Sequence, residues 1–403
     1  MRWLKELGKY DSEEVSRVVR EQYMGMAEAC CIYPRLNSLI SMGCYSCAIV
    51  LLTANLLLML MTTCVSRRDL TLLSGSVHNM SVVSIAIVIL VEMLRHRKEY
   101  ARLHSRFGQS VFFYEDMSED TKRVEDDELK YRKVWLVFWP VYMVPCALVL
   151  VTFRHLVDQE WDRSSDQDVV HPSGVNVQLP IPYWTPYETV TSPTGYYTTV
   201  VLQWAGTILA ALVISAADMH YVNISQHVCC QLVTLKMSLS KTASPTDTTY
   251  GRRIAQSARH HAAIIRLFRD FQTLGGNIVF SAFVMSGAMI SAAVVVILSA
   301  EDKIAPIVTM LMFSSVEIFN MFILCWFGER IHHLSEELRH EIYFLRWYET
   351  RREVKSMLSI MIAATARPLT FNAGGLIPAK MGTFTNILNA AYSYFNLLFA
   401  IKE

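Results

Sequence analysis

The sequence predicts an all-α integral membrane protein with seven transmembrane helices, its N-terminus cytoplasmic and its C-terminus extracellular, and a helical anchor bundle on the cytoplasmic side. Three observations predict it. Of the 403 residues, 52% are apolar and only 18% charged, too little charge to cover several water-soluble domains. Seven apolar runs have the length a bilayer requires. The basic residues gather on alternate connections between those runs.

Crossing a hydrocarbon layer of about 30 Å takes about 20 apolar residues in a helix. The runs of that length are Leu36 to Thr63, Leu70 to Val91, Val134 to Phe153, Tyr196 to Ala217, Gly275 to Ala300, Ile304 to Phe327 with Glu317 inside it, and Met381 to Ile401. Six Lys and Arg precede the first run, ten lie between 92 and 133, and seven each lie in 223–274 and 328–377. The alternate connections carry few, among them Arg67, Arg68, Arg163 and Lys303, with Lys402 at the end. Because Lys and Arg stay on the cytoplasmic side, this asymmetry orients the chain with its N-terminus inside. A G-protein-coupled receptor is threaded the other way. The third run is followed by no DRY-like triplet, and Asn389-Ala-Ala-Tyr392 in the last run lacks the proline of an NPxxY-like element.

A net charge of +1 argues against a nucleic-acid partner, which would call for a basic face. The first twenty residues mix acids and bases, so no cleaved signal peptide is expected. The nine cysteines fall mostly in apolar runs or on the basic side, and the CxxC spacing of Cys44 and Cys47 has no second pair. No metal site and no extracellular disulfide framework is expected. No HExxH, P-loop or nucleophile elbow occurs, so neither enzymatic activity nor a cofactor is expected. The sequons at Asn79 and Asn223 lie in or beside membrane runs and are expected to stay unmodified.

Outside the runs, three segments stand out. Ile331, Leu334, Leu338, Ile342 and Leu345 recur every three or four positions, the pattern of an amphipathic helix. Ala258, Ala262, Ile265 and Phe268 form a second such stripe. Together they predict a bundle beneath the membrane, with the adjacent pairs His260-His261 and His332-His333 on exposed faces. Arg367 to Pro378, with two prolines and a glycine pair, reads as an elbow. The segment 157–195 holds five prolines with acids and aromatics, and fits an ordered cover over an outward-facing cavity.

In the last run Asn386, Asn389, Ser393 and Asn396 follow at spacings of three, four and three, one stripe of a helix. Amides are costly against lipid, so this stripe faces water or protein. A pore lined by one such helix per subunit and a set of interhelical hydrogen bonds both satisfy it. Leu397 and Ile401 extend the line of Ser393, where apolar side chains could gate by dewetting. With neither a carbonyl filter nor an acidic ring in this run, a channel would be weakly selective. Glu317 reads as a buried, hydrogen-bonded structural acid.

From the sixth run onward, Phe322-Ile-Leu-Cys325-Trp-Phe-Gly328, Ser335, Ile342-Tyr343, Trp347, Arg367-Pro-Leu, Gly374-Gly-Leu, Thr383-Phe-Thr-Asn-Ile-Leu and Tyr392-Ser-Tyr-Phe-Asn-Leu-Leu398 resemble, in order and spacing, the C-terminal pattern of insect odorant receptors. The resemblance implies an odorant-sensing subunit of a ligand-gated non-selective cation channel, built as a heterotetramer with the odorant receptor co-receptor in the plasma membrane of sensory dendrites. It implies a pore around the last helix, a gate at Leu397 and Ile401 beside Tyr394-Phe395, and a pocket for a small volatile odorant in the outer half of the membrane. Ala400 stands where the co-receptor has a pore glutamine, and its long insertion between spans four and five is missing, which marks a tuning subunit.

On this reading the chain divides into a cytoplasmic segment 1–35, helices one to four in 36–222 with segment 157–195 as a lid, a cytoplasmic helical extension 223–274, helices five and six in 275–327, anchor helices and elbow in 328–377, and the pore-lining helix in 378–403. Odorant pockets are mostly apolar with few polar anchors. The candidates are His78 and Ser81 in span two, Cys146 and Phe153 in span three, Gln203 and Thr207 in span four, and Met289, Met310 and Phe313 in spans five and six. His78 stands out, because an imidazole in the membrane needs a partner or a function. A homomeric gustatory-type channel shares most of these features and is the alternative; a multipass transporter would need an inverted repeat, and none is visible.

Overall fold

A computed structural model describes residues 39–100, 102–103, 114, 119–120, 123–124, 127, 174–176, 179–242, 249–299 and 304–402. Its helices are α1 (Leu39–Val65), α2 (Leu70–Arg95), α3 (Pro193–Ser240), α4 (Tyr250–Ser299), α5 (Ile304–Phe344), α6 (Arg352–Thr365) and α7 (Met381–Lys402). They hold the first, second, fourth, fifth, sixth and seventh apolar runs. The third run, with Cys146 and Phe153, and the segment 1–35 lie outside the described residues.

Sequence reading treats the apolar runs and the amphipathic stretches after or before them as separate segments. The structure joins each pair into one helix: α3 has 48 residues, α4 has 50 and α5 has 41. At 1.5 Å per residue these are about 60–75 Å long, roughly twice a bilayer's apolar thickness. The sequence explains the continuity. Pro193 occupies the first position of α3, where a proline's missing N–H costs nothing, behind Ser192, whose side chain accepts from the Gly195 N–H. Pro306 sits in the first turn of α5, and no proline interrupts α4. The bundle therefore has a long end, where α3, α4 and α5 run on together, and a loop end, where α1 turns into α2.

α4 is central and packs against α2, α3, α5, α6 and α7. At the long end Ile224, Val228 and Leu235 of α3, Ile254 and Ile264 of α4, and Ile331, Leu338 and Ile342 of α5 are buried in one core. Of the predicted stripe after the sixth run, Ile331, Leu338 and Ile342 are buried and Leu334 and Leu345 half-buried against the core, whereas that on α4 is rotated, with only Phe268 buried. Ala262 is exposed and Ile265 half-buried, while Ser257, His260, His261, Ile264 and Phe271 face inward. The expectation that His260 and His261 are exposed fails: they are 0% and 5% accessible. Polar partners account for the rotation. His260 Nε2 donates to Gln231 Oε1 at 3.0 Å, Nδ1 accepts from the Tyr114 hydroxyl at 3.2 Å, and Ser257 meets Ser238 of α3 at 3.2 Å. An apolar count cannot see such a buried polar seam.

At the loop end, Leu179, Ile181 and Tyr183 are buried against the helices. The Trp184 N–H donates to Thr62 Oγ1 at 3.0 Å, and the Tyr183 hydroxyl to Asn55 Oδ1 at 3.4 Å. The elbow is a small antiparallel hairpin of β1 (Asn372–Ala373) and β2 (Ile377–Pro378). Gly374 and Gly375 turn it at φ 58° and 74°, the left-handed region that glycine enters without strain. Its backbone is tied to the bundle: the Gly374 N–H donates to the Gly276 carbonyl at 2.8 Å, the Asn372 N–H to Gln272 Oε1 at 2.8 Å, and the Leu369 N–H to Ser335 Oγ at 2.9 Å. Gln272 Nε2 returns a hydrogen bond to the Asn372 carbonyl. Phe371 is fully buried against Tyr221 and Phe271, with ring centroids 5.1 and 4.8 Å away.

Candidate ligand site and pore helix

His78 on α2, Met289 on α4 and Phe313 on α5 lie about 12, 15 and 13 Å from their helix ends on the loop side, at 1.5 Å per residue. Packing of α4 against both α2 and α5 brings these levels together. His78 Nδ1 is 3.4 Å from the Met289 carbonyl oxygen, and its ring lies against Phe313 with centroids 4.9 Å apart at 56°. The imidazole is 1% exposed. Met310, Ala293 and Val296 form an apolar cluster separate from the main core, with Phe313 and Ile297 packed on it. Four predicted residues, from three helices, thus share one neighbourhood.

The other candidates are placed differently. Ser81, buried one turn from His78, donates to the carbonyl of Val77 in its own helix at 2.9 Å. Gln203 is buried on α3, and its amide is engaged by the loop: Oε1 accepts from the Ile181 N–H at 3.1 Å and Nε2 donates to the Ile181 carbonyl at 2.8 Å. It clasps the loop-end segment, a role invisible until chain distant in sequence is folded onto it. Thr207, one turn further, is half-buried. Sequence reading missed the partner of Glu317. Ser286 Oγ donates to its Oε2 at 2.9 Å, about one turn from the Met289 and Phe313 level toward the long end. A small, partly open cavity lies nearer the long end, among Met93, Tyr100, His220, Tyr221, Phe271 and Leu274, and none of the predicted residues line it.

On α7, Ile387, Leu388 and Ala391 pack against the core, and Phe384 meets Phe322 edge-on at 5.8 Å. Asn386, Asn389, Ser393 and Asn396 are all exposed. The helix therefore presents its apolar face to its own bundle and its amides outward, the reverse of what a lipid-facing helix requires. The side chains of Tyr394, Leu397 and Ile401 lie outside the described residues, although their backbone belongs to α7. The start of α7 is fixed by Glu329 of α5, whose Oε2 accepts from the Met381 N–H at 3.2 Å. A carboxylate at a helix N-terminus also meets the positive end of its dipole.

Five of the described helices, α1 to α5, are long and apolar enough to cross a membrane, which defines the class as a polytopic α-helical membrane protein. The family model "7tm Odorant receptor" matches residues 69–392, and the chain belongs to that family. It is 26% identical over 232 residues to Odorant receptor 33b of Drosophila melanogaster, covering 56% of this chain and 60% of the relative. It is 20% identical over 334 residues to Odorant receptor 23a of the same fly, covering 82% and 81%. The match spans about 60% of the length of the first curated relatives. The fold is that of the insect olfactory receptor OR5 from Machilis hrabei, solved in complex with eugenol: TM-score 0.79 at 13% identity, over 97% of this chain and 100% of that one.

Proposed function

We propose that this chain is the odorant-sensing subunit of a ligand-gated, non-selective cation channel. The observation that carries the reading is the outward stripe of Asn386, Asn389, Ser393 and Asn396. A membrane helix that turns its amides away from its own bundle needs water or a second subunit on that side, and both are present where several copies of α7 surround a pore. The neighbourhood of His78, Met289, Met310 and Phe313 supplies the ligand site, with Gln203 holding the loop-end segment above it as a lid.

In this reading the long end is cytoplasmic, in keeping with the distribution of Lys and Arg, and the C-terminus is extracellular. The partner is the odorant receptor co-receptor, in a heterotetramer in the plasma membrane of sensory dendrites. Whole-cell recording from cells expressing this chain, the co-receptor, or both, across a panel of volatiles, tests it. Odorant-evoked cation current in the pair, with a ligand preference the co-receptor alone lacks, is expected. Current from this chain alone would place it with self-sufficient homomeric receptors of the gustatory type.

A further inference from the structure

We infer that the odorant recognised by this chain carries a hydrogen-bond donor, an alcohol or phenol in preference to an ether, ester or ketone, and that it donates to Nε2 of His78. The inference rests on the reading of the chain as an odorant receptor and names the ligand class of that site.

The argument begins at the other ring nitrogen. His78 Nδ1 faces the Met289 carbonyl oxygen at 3.4 Å, and a carbonyl only accepts, so Nδ1 carries the proton. A neutral imidazole has a single N–H, so Nε2 is left with a bare lone pair. That atom is buried and has no hydrogen-bond partner among the described residues. Against the ring lies the aromatic face of Phe313, itself packed on the apolar cluster of Met310, Ala293 and Val296. None of these donates. Ser81, one turn along α2, gives its proton to the Val77 carbonyl, and the acid on α5, Glu317, is engaged by Ser286. A charged imidazolium here would need a counter-ion, and among the described residues no carboxylate is paired with His78.

A buried acceptor left open is a standing cost, recovered when a ligand brings a donor to it. A hydroxyl does so. An ether or carbonyl oxygen of the same size sets a second lone pair against the first and leaves both unsatisfied. Sites built around one hydrogen bond discriminate strongly against analogues that cannot make it, whereas apolar walls discriminate weakly between isomers. Met289, Met310 and Phe313 accept the hydrocarbon part with little regard to its shape, so selection falls on the donor.

The test uses isomers, with the chain expressed beside the co-receptor and its surface level measured. Benzyl alcohol and p-cresol are compared with anisole, and 1-octanol with heptyl methyl ether. The donor-bearing isomers are expected to evoke current at concentrations about tenfold or more below their ethers. His78→Phe keeps a ring in place but removes the acceptor, and is expected to erase that difference by weakening the alcohols alone. Equal potency of alcohols and ethers on the unaltered receptor, or an undiminished preference in His78→Phe, overturns the donor requirement while the receptor reading stands. Silence to every compound at confirmed surface expression overturns the receptor reading, and this inference with it.

Discussion

Gly328 of α5 and Ala379 at the end of the elbow touch backbone to side-chain position: a Cβ on residue 328 would overlap the carbonyl oxygen of Ala379. The crossing sets how closely the chain entering α7 approaches α5. Gly328→Ala is expected to destabilise the protein by about 1–3 kcal/mol, the range for overpacking a tight contact, and to lower surface expression. Gly287→Ala is its control, since a Cβ there meets nothing within 4 Å and alanine favours a helix by about 1 kcal/mol over glycine. Thermal unfolding in detergent, run on both variants, checks the contrast.

Gln272 holds the elbow through both atoms of its amide, each on the backbone of Asn372. Gln272→Leu keeps the volume but leaves the half-buried Asn372 N–H unpaired, at about 1–3 kcal/mol, while the Asn372 carbonyl keeps the Gly375 N–H at 3.2 Å. Hydrogen exchange is the suitable readout. Amides of residues 369–379 are expected to lose protection while those of α1 and α2 do not; unchanged protection in the elbow would show that Gln272 does not restrain it.

The exposed amides of α7 predict an effect of charge. Asn389→Asp places a carboxylate on the outward stripe, and if that stripe lines a cation pathway the variant is expected to conduct cations better relative to anions. Reversal potentials under a salt gradient measure it. An unchanged selectivity would place Asn389 away from the permeation path.

Acid should loosen the long end. Burial, reinforced by the charges His227 and His261 would carry, pushes the His260 imidazole down to about 3, and burial pushes His261 down to about 4. Both lie on α4 well before its membrane run at Gly275. As pH falls through the ordinary histidine value of 6.5, the unfolded chain takes up protons that the folded chain refuses until near those lowered values. Stability is therefore full above about pH 6.5 and falls as pH drops from there toward 4. Thermal midpoints at pH 7.5 and 5 should differ by several degrees, and His260→Gln, which cannot titrate, should narrow that difference.

The spans and the stripe on α7 were legible because they are local properties: run length, and spacing along one helix. That His78 would need a partner was legible for a related reason, since it is a polar ring in an apolar run, and the Met289 carbonyl faces its Nδ1. What stayed hidden depends on chain brought from elsewhere. His260 and His261 read as exposed until Gln231 and Tyr114 are folded against that seam, and Gln203 reads as a ligand contact until Ile181 arrives to take its amide. The hairpin at Asn372–Pro378 was visible only as a break in helix, since strands of two residues carry no periodicity. Glu317 was marked as buried, but its partner Ser286 lies on another helix and has no signature of its own.

The measurement that bears most directly on the account is water access to α7. With the pair of subunits expressed, Asn389→Cys exposed to a charged, water-soluble thiol reagent during odorant application should lose most of its evoked current, while Leu388→Cys on the packed face should not. Loss at Asn389 alone is the result predicted for a helix that lines the pore. Insensitivity of Asn389→Cys with evoked current intact would contradict it, and would leave the stripe as a contact between helices.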